Sequence, residues 1–382
     1  MLDFPKLCVE RPIGTYENNN IIEILCNAFG ELNYRIIDLP FQCTLWHSEY
    51  SFVECNGNRI KIFPSPFSQG LKGNYPIKYV STLEELKKIK GYNGILIFIN
   101  ELSENAKMPN NFPFYFPDED KELYESLERI NPKGIIAITG QDQSSGLNPF
   151  PLFEDVNLKI PTAFVSSLEN IAKEGEISLE INSKTSKEKS KQIIFRKEGL
   201  SKDIILIIAH MDTKYFTNGA LDNAAGVYTL HEIAKIIENK NFNHTIEIVP
   251  FNGEDHPEVS GQLAYLEYLD KNGYEVKNVI NIDGTGHIGS KNMFSFFNYD
   301  ENCKVKIIGK NNLLEGEQWY SGDHGVFAFQ NIPCIAVTSS DMFTDSIKIT
   351  HTKNDIMDIV DIELLKSLGK TIENIIEIID IQ

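Results

Sequence analysis

Asp203 to Ile237 reads DIILIIAHMDTKYFTNGALDNAAGVYTLHEIAKII: an apolar run, a polar loop holding a histidine and two aspartates, then apolar residues at helical spacing. The unit is strand, loop, helix. It recurs, since TIEIVPF (245–251) is followed by a loop and VSGQLAYLEYLD (259–270), and VKNVINID (276–283) by another loop and further strands. Strands alternating with helices predict an α/β fold with a doubly wound, mostly parallel sheet and helices on both faces. DIELLKSLGKTIENIIEIID (361–380) is amphipathic with a helical period and should pack across that sheet.

Outward from this stretch the texture changes. RPIGTYENNNIIEILCNAFGELNY (11–34) predicts one helix, and the YRIIDL that begins at Tyr34 one strand. From Ser51 short apolar runs, SFVECNGNRIKIF, NGILIFIN, KGIIAITG and IPTAFVS, alternate with Pro-, Asn- and Gly-rich segments, which predicts a β-rich domain with few helices. The polar SKTSKEKSKQ (183–192) reads as a solvated hairpin or linker. A chain of 382 residues favours more than one domain, at about 150 residues each.

Composition excludes some partners. Lys+Arg of 36 against Asp+Glu of 54 gives a net charge of −18, which opposes nucleic acid and anionic membrane surfaces. The first residues, MLDFPKLCVERPIG, hold no basic segment leading into an apolar one, and six cysteines lack paired spacing. The expectation is a cytoplasmic protein with reduced thiols; a homo-oligomer is left open.

In an open α/β sheet the loops at the carboxyl ends of the strands converge on one crevice. His210, Asp212 and Asp222 follow the first strand, Glu254 and Asp255 the second, Asp283 the third, and His351 lies in ITHTKND ahead of the last helix. Two histidines with several carboxylates and no cysteine suit Zn²⁺, Mn²⁺ or Co²⁺. Two ions close together need a bridging carboxylate, and Asp222 in GALDNAAG, where glycines allow a tight approach, is the natural bridge. Glu254, beside a ligand, can carry protons. The chemistry implied is hydrolysis. Each residue alone has an ordinary reading: a strand-end His210, an Asp222 that caps the next helix, a solvated Glu254-Asp255 pair.

AHMD, GALDN, NGED, NIDG and THTKND, in this order, resemble the dinuclear zinc exopeptidases of the bacterial leucyl aminopeptidase type, related to glutamate carboxypeptidase and glutaminyl cyclase. The resemblance implies that His210 and Asp283 bind one metal, Asp255 and His351 the other, and Asp222 both. Glu254 would be the general base and acid for a metal-bridged hydroxide, and Asp212 would orient His210. It implies two divalent ions, Zn²⁺ first, and a peptide substrate cut at its amino end. GIIAITG and FPLFEDVNLKIPTAFVS resemble a protease-associated domain inserted at 51–175, leaving 1–50 and 176–382 as a discontinuous zinc-peptidase domain. Where such families usually carry two glutamates this chain has Glu254-Asp255, and where many have tyrosine before the last histidine it has Thr350. Tyr320, Asp323 and His324 in WYSGDHGVF are candidates for the substrate pocket, with Asp323 as hydrogen-bond partner of His324. The remaining histidines have no helpful spacing.

The alternatives differ in features the sequence displays. A glutaminyl cyclase works with one zinc, whereas five ligands are present here. A carboxypeptidase needs a basic pocket, and only Lys214, Lys348 and Lys353 lie near the motifs. A non-catalytic binding homologue should have broken motifs.

Overall fold

The computed structural model describes residues 2–55, 57–140, 145–167 and 174–381. The chain divides into two compact units, Met1–Cys43 with Lys189–Gln382, and Thr44–Glu188.

The first unit is built on an eight-stranded sheet. Its order is Arg35–Ser48, Ser183–Lys197, Thr245–Phe251, Ile204–His210, Val276–Ile282, Cys334–Ser339, Asn292–Phe297, Leu314–Glu315. The four strands from Thr245–Phe251 to Cys334–Ser339 are mutually parallel, with Ile207 in register with Ile248 on one side and Ile280 on the other. Antiparallel strands flank them, Ser183–Lys197 against Thr245–Phe251 and Asn292–Phe297 against Cys334–Ser339.

Every residue of Ile204–His210 is buried. The cause is cover on both faces. Ile205, Ile207 and Ala209 pack with Leu25 and Phe29 of the helix Tyr16–Gly30, Val227 and Ile233 of Ala225–Ile237, and Leu368 and Ile372 of Ile362–Ile379. Ile204, Leu206 and Ile208 pack with Tyr265 and Tyr268 of Ser260–Asn272 and with Phe327. A strand covered twice reads as continuous apolar sequence rather than alternation. The helices begin where capping side chains allow: Thr15 accepts from the Asn18 N–H, and Asp361 from those of Glu363 and Leu364.

SKTSKEKSKQ forms the first ten residues of the strand Ser183–Lys197, and the boundary between the two units falls inside it, between Glu188 and Lys189, so the linker of the sequence reading is an extended strand. Residues 186–189 are exposed and burial begins at Ser190, so the backbone is extended while the side chains are solvated. The ladder needs only backbone groups, and composition does not report it.

The second unit is a closed barrel of seven strands in the order Ser51–Cys55, Asn58–Pro64, Thr162–Val165, Gly134–Ile138, Ile95–Phe98, Leu71–Val80, Glu176–Ile181. Ile95 and Ile97 turn into one cluster with Val53, Ile136 and Leu179. Leu96 and Phe98 turn to the other side, where Leu123, Leu127 and Ile130 of the helix Asp118–Ile130 cover them. Among the described residues no helix is long and apolar enough to cross a membrane.

Candidate metal centre

His210 ends its strand, and Met211 to Gly219 leave the sheet in a loop fixed from behind by Arg11. That guanidinium is fully buried and donates to the carbonyls of Met211, Asn218, Gly219 and Val9. Asp355, also buried, accepts from the N–H groups of Leu221 and Asp222. Between these anchors the chain turns so that the Asp222 carboxylate faces the carboxyl ends of the strands. Capping of the next helix falls to Asn223, whose Oδ1 accepts from the Gly226 N–H at 2.9 Å, and not to Asp222.

Asp212 holds the neighbouring loop. Its carboxylate accepts from three consecutive peptide N–H groups, Gly253 at 2.9 Å, Glu254 at 3.2 Å and Asp255 at 3.1 Å. Gly253 has φ of 137°, a left-handed conformation that favours glycine at this turn. The expected partner His210 stands farther off, with Nδ1 3.8 Å from Asp212 Oδ1, beyond hydrogen-bond distance. Asp212 therefore shapes the Glu254-Asp255 loop more directly than the imidazole.

The loops bring the predicted ligands together. His210 Nε2 lies 2.9 Å from Asp222 Oδ1 and 3.6 Å from Asp283 Oδ1. His351 Nε2 lies 2.9 Å from Asp222 Oδ2 and 3.5 Å from Asp255 Oδ1. Each Asp222 oxygen thus faces a different histidine. His210, Asp222 and Asp283 form one group whose donor atoms lie within 4.8 Å of one another, and Asp222, Asp255 and His351 form a second. His210 with Glu254 and Asp255 makes a third such group, and Glu254 Oε2 stands 4.0 Å from His210 Nε2.

The electrostatics explain why this cluster suits cations. Burial alone would neutralise these groups. Burial raises Asp222, yet His210 and His351 outweigh it and hold its carboxyl well below the usual range. Burial disfavours charge on His210, while Glu254, Asp222 and Asp283 pull its pKa well above the ordinary value. Glu254 is pushed well above the carboxylate range by burial and then by Asp255, Asp323 and Asp283, against the pull of His210. Asp283 is raised by burial, with Asp222 and Asp255 adding. Buried carboxylates in mutual repulsion, with two imidazoles and no thiolate, are a donor set that fits divalent cations such as Zn²⁺.

The pocket candidates separate. Asp323 is buried, accepts from Gln262 Nε2 at 2.8 Å, and is pushed up to about 7 by burial and the neighbouring Asp283 and Asp212. His324 does not pair with it. Its Nε2 meets the Trp319 carbonyl at 2.7 Å and its Nδ1 the Asn281 amide at 3.0 Å, and burial lowers it to about 4, so it is a neutral imidazole in the core. Tyr320 is 45% exposed and donates to Gln318 Oε1. Neither His324 nor Tyr320 belongs to the donor groups. His231 is buried against Phe29, and His287 pairs with Asp341.

Arg11 in RPIGT and Asp355 in THTKND carry no signal of their role in the sequence. Both act on backbone groups, which leave no spacing signal.

Residues 192–376 match Peptidase family M28, a match to a metallopeptidase family. No curated protein matches the chain. Among solved structures, BSAP, a zinc aminopeptidase from Bacillus subtilis, is 16% identical, covering 98% of this chain and 92% of its own, with a TM-score of 0.73. The aminopeptidase from Aneurinibacillus sp. strain AM-1 is 15% identical over 98% and 93%, with a TM-score of 0.70. A Peptidase M28 precursor from Shewanella amazonensis SB2B is 16% identical over 98% and 90%, at 0.65. At these identities the likeness to solved structures is one of fold.

Proposed function

We propose that the chain, whose residues 192–376 match Peptidase family M28, is an aminopeptidase holding two divalent ions, Zn²⁺ first, and releasing residues from the free amino end of peptides. The observation that carries this reading is the division of Asp222, with Oδ1 toward His210 and Oδ2 toward His351. His210 and Asp283 would hold one ion, Asp255 and His351 the other, and Asp222 both. Bound there, the ions would polarise the scissile carbonyl and acidify water.

Glu254 is the proton carrier in this reading. Its side chain is 22% exposed, more open than the ligands around it, and Oε2 lies 4.0 Å from His210 Nε2. Oε2 takes a proton from the attacking water and returns it to the leaving amine nitrogen. Asp212 places Glu254 through the loop N–H groups. A carboxypeptidase would need a cation for the substrate's terminal carboxylate, and Lys214 is buried against Asp255 instead. The unit Thr44–Glu188 carries none of these residues; we read it as the protease-associated-like insert, with a role in substrate selection.

The test is elemental analysis of the purified protein beside an assay on aminoacyl anilides and their N-acetyl derivatives. Two ions per chain with activity confined to free amines is expected. Cleavage of the acetylated substrates, or of peptides from the carboxyl end, would overturn the reading.

A further inference from the structure

The two donor groups that share Asp222 have different charged neighbours. Lys214, two residues beyond Asp212, is buried beside the group of Asp222, Asp255 and His351. Its backbone N–H donates to Asp255 Oδ2 at 3.0 Å, and its Nζ donates to the Asp255 carbonyl at 3.0 Å. Nζ also lies 3.8 Å from Asp255 Oδ1, the same oxygen that stands 3.5 Å from His351 Nε2. The ammonium thus shares the one oxygen of Asp255 that faces His351. The group of His210, Asp222 and Asp283 is surrounded differently, with Glu254 4.0 Å from His210 Nε2 and Asp212 3.8 Å from its Nδ1.

We propose that Lys214 makes the two halves of the centre unequal, so that a divalent ion is held tightly at His210, Asp222 and Asp283 and weakly at Asp222, Asp255 and His351. The physical reason is direct. A fixed positive charge that already neutralises part of Asp255 lowers the attraction that carboxylate offers a second cation, and the ammonium repels that cation at close range. The half beside Asp283 has carboxylates next to its histidine instead, Glu254 and Asp212. At limiting metal the enzyme would therefore carry one ion, and the second would follow only at higher concentration. This inference rests on the two-ion reading above, and the experiment separates the two.

The chelator-stripped full chain is titrated calorimetrically with Zn²⁺ alone, for wild type, Lys214→Met, Lys214→Gln and Lys214→Arg, with circular dichroism as a check of folding. Wild type should show two events of unequal affinity, and His351→Ala should lose the weaker one. Removing the charge in the Met or Gln variant should tighten the weaker event by about tenfold or more while the stronger moves by less than about threefold. Arginine should preserve the wild-type inequality. Two wild-type events with the weaker unchanged in both neutral variants would overturn the role of Lys214 and leave the two-ion reading intact. A single ion in wild type and in the folded neutral variants alike would overturn the two-ion reading itself.

Discussion

Asp355 stands behind Asp222: one carboxylate oxygen accepts the Asp222 N–H at 3.1 Å while the other accepts that of Leu221 at 2.6 Å. The acid that faces the histidines is held by a second acid that touches only its backbone. Arg11, bonded to the carbonyl of Gly219, holds the same turn from its other end. Replacing Asp355 by Asn puts an amide N–H against one of two peptide N–H groups and removes the charge. A hydrogen bond to a charged group contributes about 1.5–3 kcal/mol. Asp355→Asn should weaken Zn²⁺ binding in both halves by about tenfold or more, read by calorimetric titration. Unchanged affinity would show that the turn holds without Asp355.

Asp222→Asn should remove both ions, because a neutral amide leaves two dications without the charge between them. His351→Ala should remove one. Elemental analysis after dialysis decides, and two metal equivalents retained by the Asn variant would take the bridging role from Asp222.

The parallel core was legible because strands such as Ile204–His210 are covered on both faces and write that cover into continuous apolar sequence. Leu71–Val80 was not, since its burial alternates and it contains Gly73 and Pro76, which read as loop residues. The helix Asp118–Ile130 is masked by the short strands around it, although Leu123, Leu127 and Ile130 keep a helical spacing. Within the site, His210, Asp222, Glu254, Asp255 and Asp283 were legible from their places after apolar strands. The expected pairing of Asp323 with His324 does not form, because neighbours in the chain point apart: one reaches Gln262, the other Asn281 and Trp319.

His324 gives a prediction in pH. Burial lowers it to about 4, so the fold binds the neutral ring. The stability it contributes is complete above the unfolded pKa of about 6.5 and is lost as pH falls toward about 4. Integrated over that window the loss is about 3 kcal/mol. In metal-free protein, His324→Gln should therefore cost most at neutral pH, and its deficit against wild type should shrink as pH falls toward about 4. Urea midpoints of both proteins across that range measure it. A deficit independent of pH would mean that the ring is not held neutral.

Glu254→Gln tests the proton carrier against a purely structural carboxylate. The amide keeps the size of the side chain and the backbone N–H bond to Asp212, but it cannot take a proton from water or return one to an amine. General acid–base catalysis contributes about 10²- to 10⁴-fold, so kcat should fall by that order while KM changes little. Metal content should stay at the wild-type level, which separates a base from a ligand. The sign of the pH effect follows from the raised pKa, caused by burial and then by Asp255, Asp323 and Asp283: the base works only when deprotonated, so wild-type kcat/KM should rise with pH through that group's titration. The Gln variant should lose this limb. Near-normal turnover with two ions bound would remove Glu254 from the reaction, and Asp323, pushed up to about 7 within the same field of carboxylates, would be the next residue to test as the carrier.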